Sequence, residues 1–155
     1  MPNLVIQKAF LERCTSPDQP GWLDFRLALW PDASAAEHLE YMAMALSQPE
    51  RYLHLMMYDD GRRPIGFIEG SIRTDYVNGT ESSPVGFVEG VYVAPEWRRR
   101  GVARRLFEAI ADWARARGCR ELASDALIDN AASQRAHVAL GFREAERVVY
   151  YVKRL

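Results

Sequence analysis

The stretch VGFVEGVYVAPEWRRRGVARRL, residues 85–106, joins an apolar segment to an amphipathic one through a short basic turn. Residues 86–93 are rich in Val, Phe and Tyr, which predicts a buried central strand. Pro95 ends this strand because proline cannot donate a hydrogen bond to a neighbouring strand. A helix is predicted to start near Gly101, so the rest of the chain is expected to be organised around a strand-turn-helix unit.

Three consecutive arginines lie where this helix begins. Arg98, Arg99 and Arg100 precede a helix N-terminus, where the dipole and the unpaired amides favour negative charge. A bound anion would resolve the conflict, with Gly101 and Ala103 allowing the backbone to approach phosphate oxygens closely. The alternative is a solvated basic turn. The stretch lacks the Gly-Lys-Ser/Thr of a P-loop and the GxGxxG of a dinucleotide site.

Length and composition predict one compact domain, residues 1–155, with a sizeable core. The chain is 48% hydrophobic, and its net charge of −1 argues against general nucleic-acid binding. A small molecule is the expected partner. No secretory or membrane-spanning segment is visible, so a cytoplasmic protein with no membrane partner is expected.

The cysteines and histidines are scattered. Cys14 and Cys119 form no CxxC pair and are expected to be free thiols. The three histidines, His38, His54 and His137, do not have the spacing of metal ligands, and we expect no metal.

Hydrophobic periodicity predicts helices and strands along the whole chain. The expected strands are Leu4–Phe10, Tyr52–Tyr58, Pro64–Tyr76, Gly86–Val93 and Leu122–Ala126, followed by an alternating segment, Arg143–Val152. The expected helices are Trp22–Leu29, Ala35–Leu46 with a capping box from Ser34 and Glu37, one from Gly101 to Gly118, and one from Asp129 to Leu140. The helix after the central strand implies a parallel crossover within a mostly antiparallel sheet. The predicted fold class is α/β of the α+β type, with helices on both faces of a mixed sheet.

The basic turn carries a family resemblance. Arg98-x-x-Gly101-x-Ala103 after a strand resembles the pyrophosphate-binding signature of the GNAT superfamily of N-acetyltransferases, and the predicted element order resembles the GNAT fold. Further segments resemble the aminoglycoside 6′-N-acetyltransferases within that superfamily. They are residues 30–32, 76–80, 89–90, 123–125, 129–130 and 144–150. This resemblance implies acetyl-CoA as co-substrate, an aminoglycoside as acceptor and a role in antibiotic resistance.

The chemistry of acetyl transfer to an amine requires a base. An aliphatic amine has a pKa near 10.4, so only a small fraction is neutral and nucleophilic at pH 7. Glu89 interrupts an apolar strand, so it is either a costly buried carboxylate or one that faces a cleft. Asp125 is the second candidate, although a capping or turn aspartate would have the same sequence.

The resemblance extends to residues that contact substrate and cofactor. It implies that the polycationic substrate meets Trp30, Tyr76, Glu89, Asp125 and Glu146. The two aromatic residues could equally be ordinary core or rim residues, and Glu146 a solvated strand residue. The expected cofactor site comprises the backbone of Val91, Tyr92 and Val93 for pantetheine, the turn residues Arg98, Arg99, Arg100, Gly101, Val102, Ala103 and Arg104 for pyrophosphate, and Asn130. For Asn130 the alternative is a helix N-cap.

One departure from the family pattern concerns the general acid. Many GNAT enzymes have a tyrosine in a pattern like LYxxxGF, whereas this chain has His137 in AHVALGF. His137 could protonate the leaving thiolate, water could do so, or the thiolate could leave unprotonated. A histidine that only packs the helix is equally compatible with the pattern.

Alternatives to aminoglycoside acetylation remain open on the sequence. One is a GNAT enzyme acting on another amine, such as a polyamine or a protein N-terminus. The other is a non-catalytic regulator that binds acyl-CoA. The resemblance and the alternating residues Val148–Val152 suggest a homodimer formed through strands.

Overall fold

The computed structural model describes Ile6 and residues 8–155. The strands are β1 (Phe10–Arg13), β2 (Tyr52–Tyr58), β3 (Pro64–Arg73), β4 (Val85–Val93) and β5 (Leu122–Ser124). The helices are α1 (Trp22–Leu29), α2 (Ala35–Leu46), α3 (Val102–Ala116) and α4 (Ala131–Ala139), and a 3₁₀ turn spans Pro95–Trp97.

The five strands form one sheet in chain order, β1-β2-β3-β4-β5. All neighbours are antiparallel except β4 and β5, which pair in parallel over only three residue pairs, from Gly86–Leu122 to Val88–Ser124. A parallel neighbour requires a crossover, and α3 supplies it. The predicted fold class is confirmed.

Helix α3 covers one face of the sheet at short range. A Cβ on Gly66 would lie 2.9 Å from Val102, and one on Gly70 would lie 2.9 Å from Ile110. The absence of these side chains lets the apolar stripe of α3 approach the strands closely. Leu106 and Ile110 on that stripe are fully buried.

Helices α1 and α2 cover the opposite face. Helix α2 begins with the predicted capping box, in which the Ser34 hydroxyl accepts from the Glu37 amide and the Glu37 carboxylate accepts from the Ser34 amide. Trp22 and Met42 are completely buried against Met56 and Phe67 of the sheet. The central strands are thus held between two apolar layers.

Four of the six predicted strands differ from the structure by two residues or more. The helices after β4 and β5 begin and end one or two residues inside their predicted bounds. The first strand was expected at Leu4–Phe10, of which residues 4, 5 and 7 lie outside the described residues, and β1 instead runs from Phe10 onward. The third strand stops at Arg73 rather than Tyr76, and the fifth at Ser124 rather than Ala126. The prediction of a strand in Arg143–Val152 is wrong for the structure, where this segment is irregular. Strand length depends on a partner to receive hydrogen bonds, which alternation alone does not supply.

The cysteines are as expected. Cys14 and Cys119 are free, buried thiols, and burial raises the pKa of both. None of the helices in the described part of the chain is long and apolar enough to cross a membrane.

Candidate active site

A β-bulge places Glu89. Glu69 of β3 pairs with Gly90, and the next residue, Gly70, pairs with Val88, so Glu89 is an extra residue without a partner on β3. Bulges bend a strand and redirect a side chain. The carboxylate that interrupts the apolar central strand is therefore turned out of the regular ladder, and its side chain is 26% exposed.

Two residues of β3 hold the Glu89 carboxylate. The Ser71 hydroxyl donates to Oε1 at 2.5 Å, and Arg73 Nη2 donates to both oxygens at 2.9 and 3.0 Å. The Arg73 guanidinium also lies 3.5 Å from the centre of the Phe87 ring. Sequence reasoning missed Arg73, although alternation along β3 puts residues 69, 71 and 73 on one face and could have indicated it.

Trp30 lies against Gly90, the residue that follows Glu89. A Cβ on Gly90 would overlap Cη2 and Cζ2 of the Trp30 indole, so the ring edge rests on the β4 backbone next to Glu89. The glycine is required for this close approach. The structure thus brings together Trp30 and Glu89, two residues that the sequence analysis assigned to substrate.

Asp125 directly follows the last residue of β5, Ser124. Ala123 packs with Phe87, whose ring is covered by Arg73, the partner of Glu89. The β5 residue beside Phe87 is thus two positions before Asp125. Asp125 is exposed, and in the described residues its carboxylate accepts no hydrogen bond from the protein.

Strands β4 and β5 separate directly after Val88 and Ser124. As far as the structure describes the chain, Val91, Tyr92 and Val93 therefore have no strand on their β5 side. Free backbone groups along a strand edge can pair with an extended ligand, as a pantetheine arm is. Arg98 Nε already donates to the Val93 carbonyl at 2.9 Å, which leaves fewer free groups at that end.

The basic turn has the shape of an anion site. Gly101 is the N-cap of α3 with a φ of 84°, and Arg99 has a φ of 60°, so the turn curls inward just before the helix. The first amides of α3, from Val102 to Arg104, have no acceptor within the helix. In the part of the chain described, none of the arginines from 98 to 104 forms an ion pair with a carboxylate. The exposed positive charge and the free amides fit a pyrophosphate.

His137 lies between α4 and β5. Its Nδ1 is 2.7 Å from the Ser133 carbonyl oxygen and its Nε2 is 2.7 Å from the Ser124 hydroxyl. A carbonyl can only accept, so Nδ1 carries a proton and Nε2 of the neutral ring accepts from Ser124. The ring also meets Phe107 and Phe142 edge-on. Both ring nitrogens are thus engaged by the protein. Ser124, which is bonded to Nε2, directly precedes Asp125 in the chain.

Three further predicted residues lie at the periphery. Asn130 caps α4, its side chain accepting from the Ser133 amide at 3.1 Å. Tyr76 is 75% exposed in the loop after β3. Glu146 is exposed, and its neighbour Ala145 would touch a Cβ placed on Gly79, so the C-terminal segment runs beside the loop that carries Tyr76. Within the described residues, the hydrogen bonds and the ion pair of Glu89 are made with Ser71 and Arg73, not with Tyr76 or Glu146.

The open edge of β4 beside a basic turn is an arrangement that could hold an extended ligand ending in a pyrophosphate, as acyl-CoA is. The model of the Acetyltransferase (GNAT) family matches residues 16–142. The chain belongs to the GNAT family of acetyltransferases, and acetyl-CoA is its co-substrate, as predicted.

Curated relatives are similar over most of the chain. The aminoglycoside N(6′)-acetyltransferase type 1 of Acinetobacter genomosp. 13 is 48% identical over 134 residues, covering 86% of this chain and 90% of the relative. The enzyme of the same name from Stenotrophomonas maltophilia is 47% identical over 148 residues, covering 96% and 95%. The predicted resemblance to this group is confirmed.

Solved structures agree. The aminoglycoside 6′-N-acetyltransferase AAC(6′)-Ih from Acinetobacter baumannii superposes with a TM-score of 0.89 at 42% identity, covering 95% of this chain and 99% of that one. AAC(6′)-Iy, in complex with the bisubstrate analog CoA-S-monomethyl-acetylneamine, gives a TM-score of 0.88 at 41% identity with the same coverage.

Proposed function

We propose that this chain, as one domain, transfers an acetyl group from acetyl-CoA directly to the 6′-amine of an aminoglycoside in a ternary complex. The observation that carries the proposal is the bulge that turns Glu89 beside Trp30, next to the free edge of β4. The similarity to enzymes named for 6′-acetylation supports the choice of acceptor.

The reaction requires a neutral amine. With a pKa near 10.4, roughly one amine in 2,500 is neutral at pH 7. In the proposed reaction Glu89 takes the proton through a water, the amine nitrogen bonds to the thioester carbon, and the carbon–sulfur bond breaks. Backbone amides of residues 91–93 polarise the carbonyl and stabilise the oxyanion. The thiolate then takes a proton from solvent, or from the Ser124 hydroxyl if the His137 ring is the imidazolium, whose Nε2 proton replaces the one that Ser124 gives up.

Carboxylates orient the polycation. Glu89, Asp125 and Glu146 attract the ammonium groups and select the amine that reaches the thioester, while Trp30 and Tyr76 contact the sugar rings. The pyrophosphate is held by the turn from Arg98 to Arg104. Acetylation removes a positive charge from the drug, and we propose that this confers resistance.

We also propose a homodimer and a cytoplasmic location. The exposed C-terminal segment carries Val149, Tyr150, Tyr151 and Val152, each more than 70% exposed, which is costly for a lone chain and suits pairing with a second copy. The two free thiols suit a reducing compartment.

Thiol release measured with a panel of amines tests the proposal. Incubation with acetyl-CoA should give rapid release with aminoglycosides that carry a 6′-amine and slow release with a relative that carries a 6′-hydroxyl. Faster release with a polyamine or an N-terminal peptide would favour another acceptor. Binding of acetyl-CoA without release on any amine would indicate a regulator.

A further inference from the structure

Arg26, His38 and Glu69 form a buried polar cluster next to Trp30, and the proposed chemistry does not use this cluster. Glu69 is fully buried, His38 is 2% exposed and Arg26 is 6% exposed. They connect α1, α2 and β3 directly behind Trp30. Two ionised groups rarely lie this deep unless they are paired.

The hydrogen bonds of the cluster show which atoms donate and which accept. Arg26 Nη1 donates to both oxygens of Glu69, and Trp22 Nε1 donates to Glu69 Oε2 at 3.1 Å. Burial raises the pKa of the Glu69 carboxyl, and the Arg26 guanidinium opposes this. Arg26 Nε donates to His38 Nδ1 at 3.1 Å. Nδ1 of His38 is therefore an acceptor, so the proton of the neutral ring is on Nε2.

That proton points at Trp30. His38 Nε2 lies 3.1 Å from the Trp30 carbonyl oxygen and donates to it. The Arg26 guanidinium carbon also lies 4.7 Å from the centre of the Trp30 indole and 4.3 Å from that of Tyr41, so both rings contact the cation. Arg26 thus holds Trp30 twice, at its ring and, through His38, at its backbone.

We propose that Arg26 is a positioning residue for the aminoglycoside, acting through Trp30, whose indole it fixes against Gly90 beside Glu89. This inference rests on the proposed function, in which Trp30 contacts the acceptor. A buried ion pair adds little stability compared with apolar residues of the same size. Its distinctive effect here is orientation, since a planar cation with several donors can fix a ring and a histidine together.

Arg26→Lys separates this role from folding. Lysine keeps a charge opposite Glu69 but lacks the planar group that contacts the indole and donates to His38 at the same time. We expect a KM for kanamycin about tenfold higher, with the KM for acetyl-CoA unchanged. Arg13→Lys is the matched control, because Arg13 bonds the carbonyl oxygen of Pro49 on the edge-strand side of the sheet and should leave both KM values unchanged.

A double-mutant cycle with Trp30→Ala tests whether Arg26 affects aminoglycoside binding through Trp30. If Arg26 acts through Trp30, Arg26→Lys adds no further increase in the KM for kanamycin once Trp30 is absent. An equal increase in both backgrounds, or an unchanged KM in the single variant, would overturn the inference. Should Arg26→Lys fold poorly, His38→Phe keeps the ion pair, breaks the bond to the Trp30 carbonyl and should also raise this KM.

Fluorine NMR makes the result independent of turnover. In protein labelled with 5-fluorotryptophan, the Trp30 resonance, assigned by its loss in Trp30→Ala, should move in Arg26→Lys and stay in Arg13→Lys. If the wild type acetylates no aminoglycoside, the proposed function fails, while this shift still decides whether Arg26 positions Trp30. A stationary Trp30 resonance would contradict the positioning.

Discussion

The Glu89 carboxylate accepts three hydrogen bonds in the free protein, one from the Ser71 hydroxyl and two from Nη2 of Arg73. A carboxylate offers about four acceptor positions, so a substrate ammonium or a water must share the group with Arg73 or displace it. Asp125 has no such competition among the described residues. The two carboxylates therefore differ in their surroundings.

Exchange of each carboxylate for its amide separates the two roles. Glu89→Gln should lower kcat about 100-fold or more and remove the acidic limb of its pH profile, because the base is lost. Asp125→Asn should chiefly raise the KM for the aminoglycoside and keep that limb. Loss of the limb in Asp125→Asn alone would reverse the assignment.

The lowered pKa of His54 predicts how the free energy of unfolding depends on pH. Burial, aided by the Arg26 and Arg13 guanidiniums, lowers the pKa of His54 to about 3, from an ordinary value of about 6.5. Between these values the unfolded chain binds a proton that the folded chain does not. The free energy of unfolding should therefore fall as the pH falls below 6.5, by about 2 kcal/mol from this group at pH 5.

Urea denaturation at pH 7.5 and pH 5 measures this loss. The His54 ring lies 5.0 Å from the Trp22 ring and its Nε2 has no hydrogen-bond partner among the described residues. His54→Phe keeps an aromatic ring that cannot be protonated, so the variant should lose about 2 kcal/mol less than the wild type. An identical loss in both proteins would contradict the explanation.

Some residues of the candidate site and the buried cluster could be predicted from the sequence, and others could not. Glu89 was predicted because a charge inside an apolar strand is costly, a signal that is local. Arg73 and Arg26 were missed because an arginine near a strand end or on a helix usually faces solvent, and only the register of β3 and the packing of α1 bring them to Glu89 and Glu69. Which residue pairs with a charged side chain depends on the tertiary structure, which the local sequence does not show.

Elements with their own termination signals were predicted well. Helix α2 and strand β2 have the predicted bounds, Ala35–Leu46 and Tyr52–Tyr58, because a capping box and an Asp-Asp-Gly turn define their ends. The ends of β3 and β5 were placed two or three residues too late. Their last hydrogen bonds depend on a neighbouring strand, which the local sequence does not encode.

The turn before α3 permits a matched test of the anion site. Gly101 and Gly118 have φ values of 84° and 82°, so alanine is strained at either position, and no atom within 4 Å would crowd a Cβ at Gly118. Both alanine variants should lose about 1 kcal/mol of stability. Only Gly101→Ala should weaken acetyl-CoA binding, by about tenfold in a calorimetric titration. Equal acetyl-CoA affinity in the two variants would contradict the pyrophosphate assignment.

At the scale of the whole molecule, the C-terminal segment tests the proposed dimer. Truncation after Arg147 removes the exposed residues from Val148 onward, while the described core keeps its contacts. Sedimentation should give a dimer for the full chain and a monomer for the truncated chain. A monomeric full chain at micromolar concentration would exclude pairing through this segment.

In the proposed reaction, Glu89 and the free edge of β4 direct acetyl transfer to one amine of an aminoglycoside. The position of the acetyl group on kanamycin, determined by NMR of the purified product after reaction with acetyl-CoA, tests this most directly. We predict a single acetyl group on the 6′-nitrogen. Acetylation at another nitrogen, or no product from kanamycin, would contradict the account.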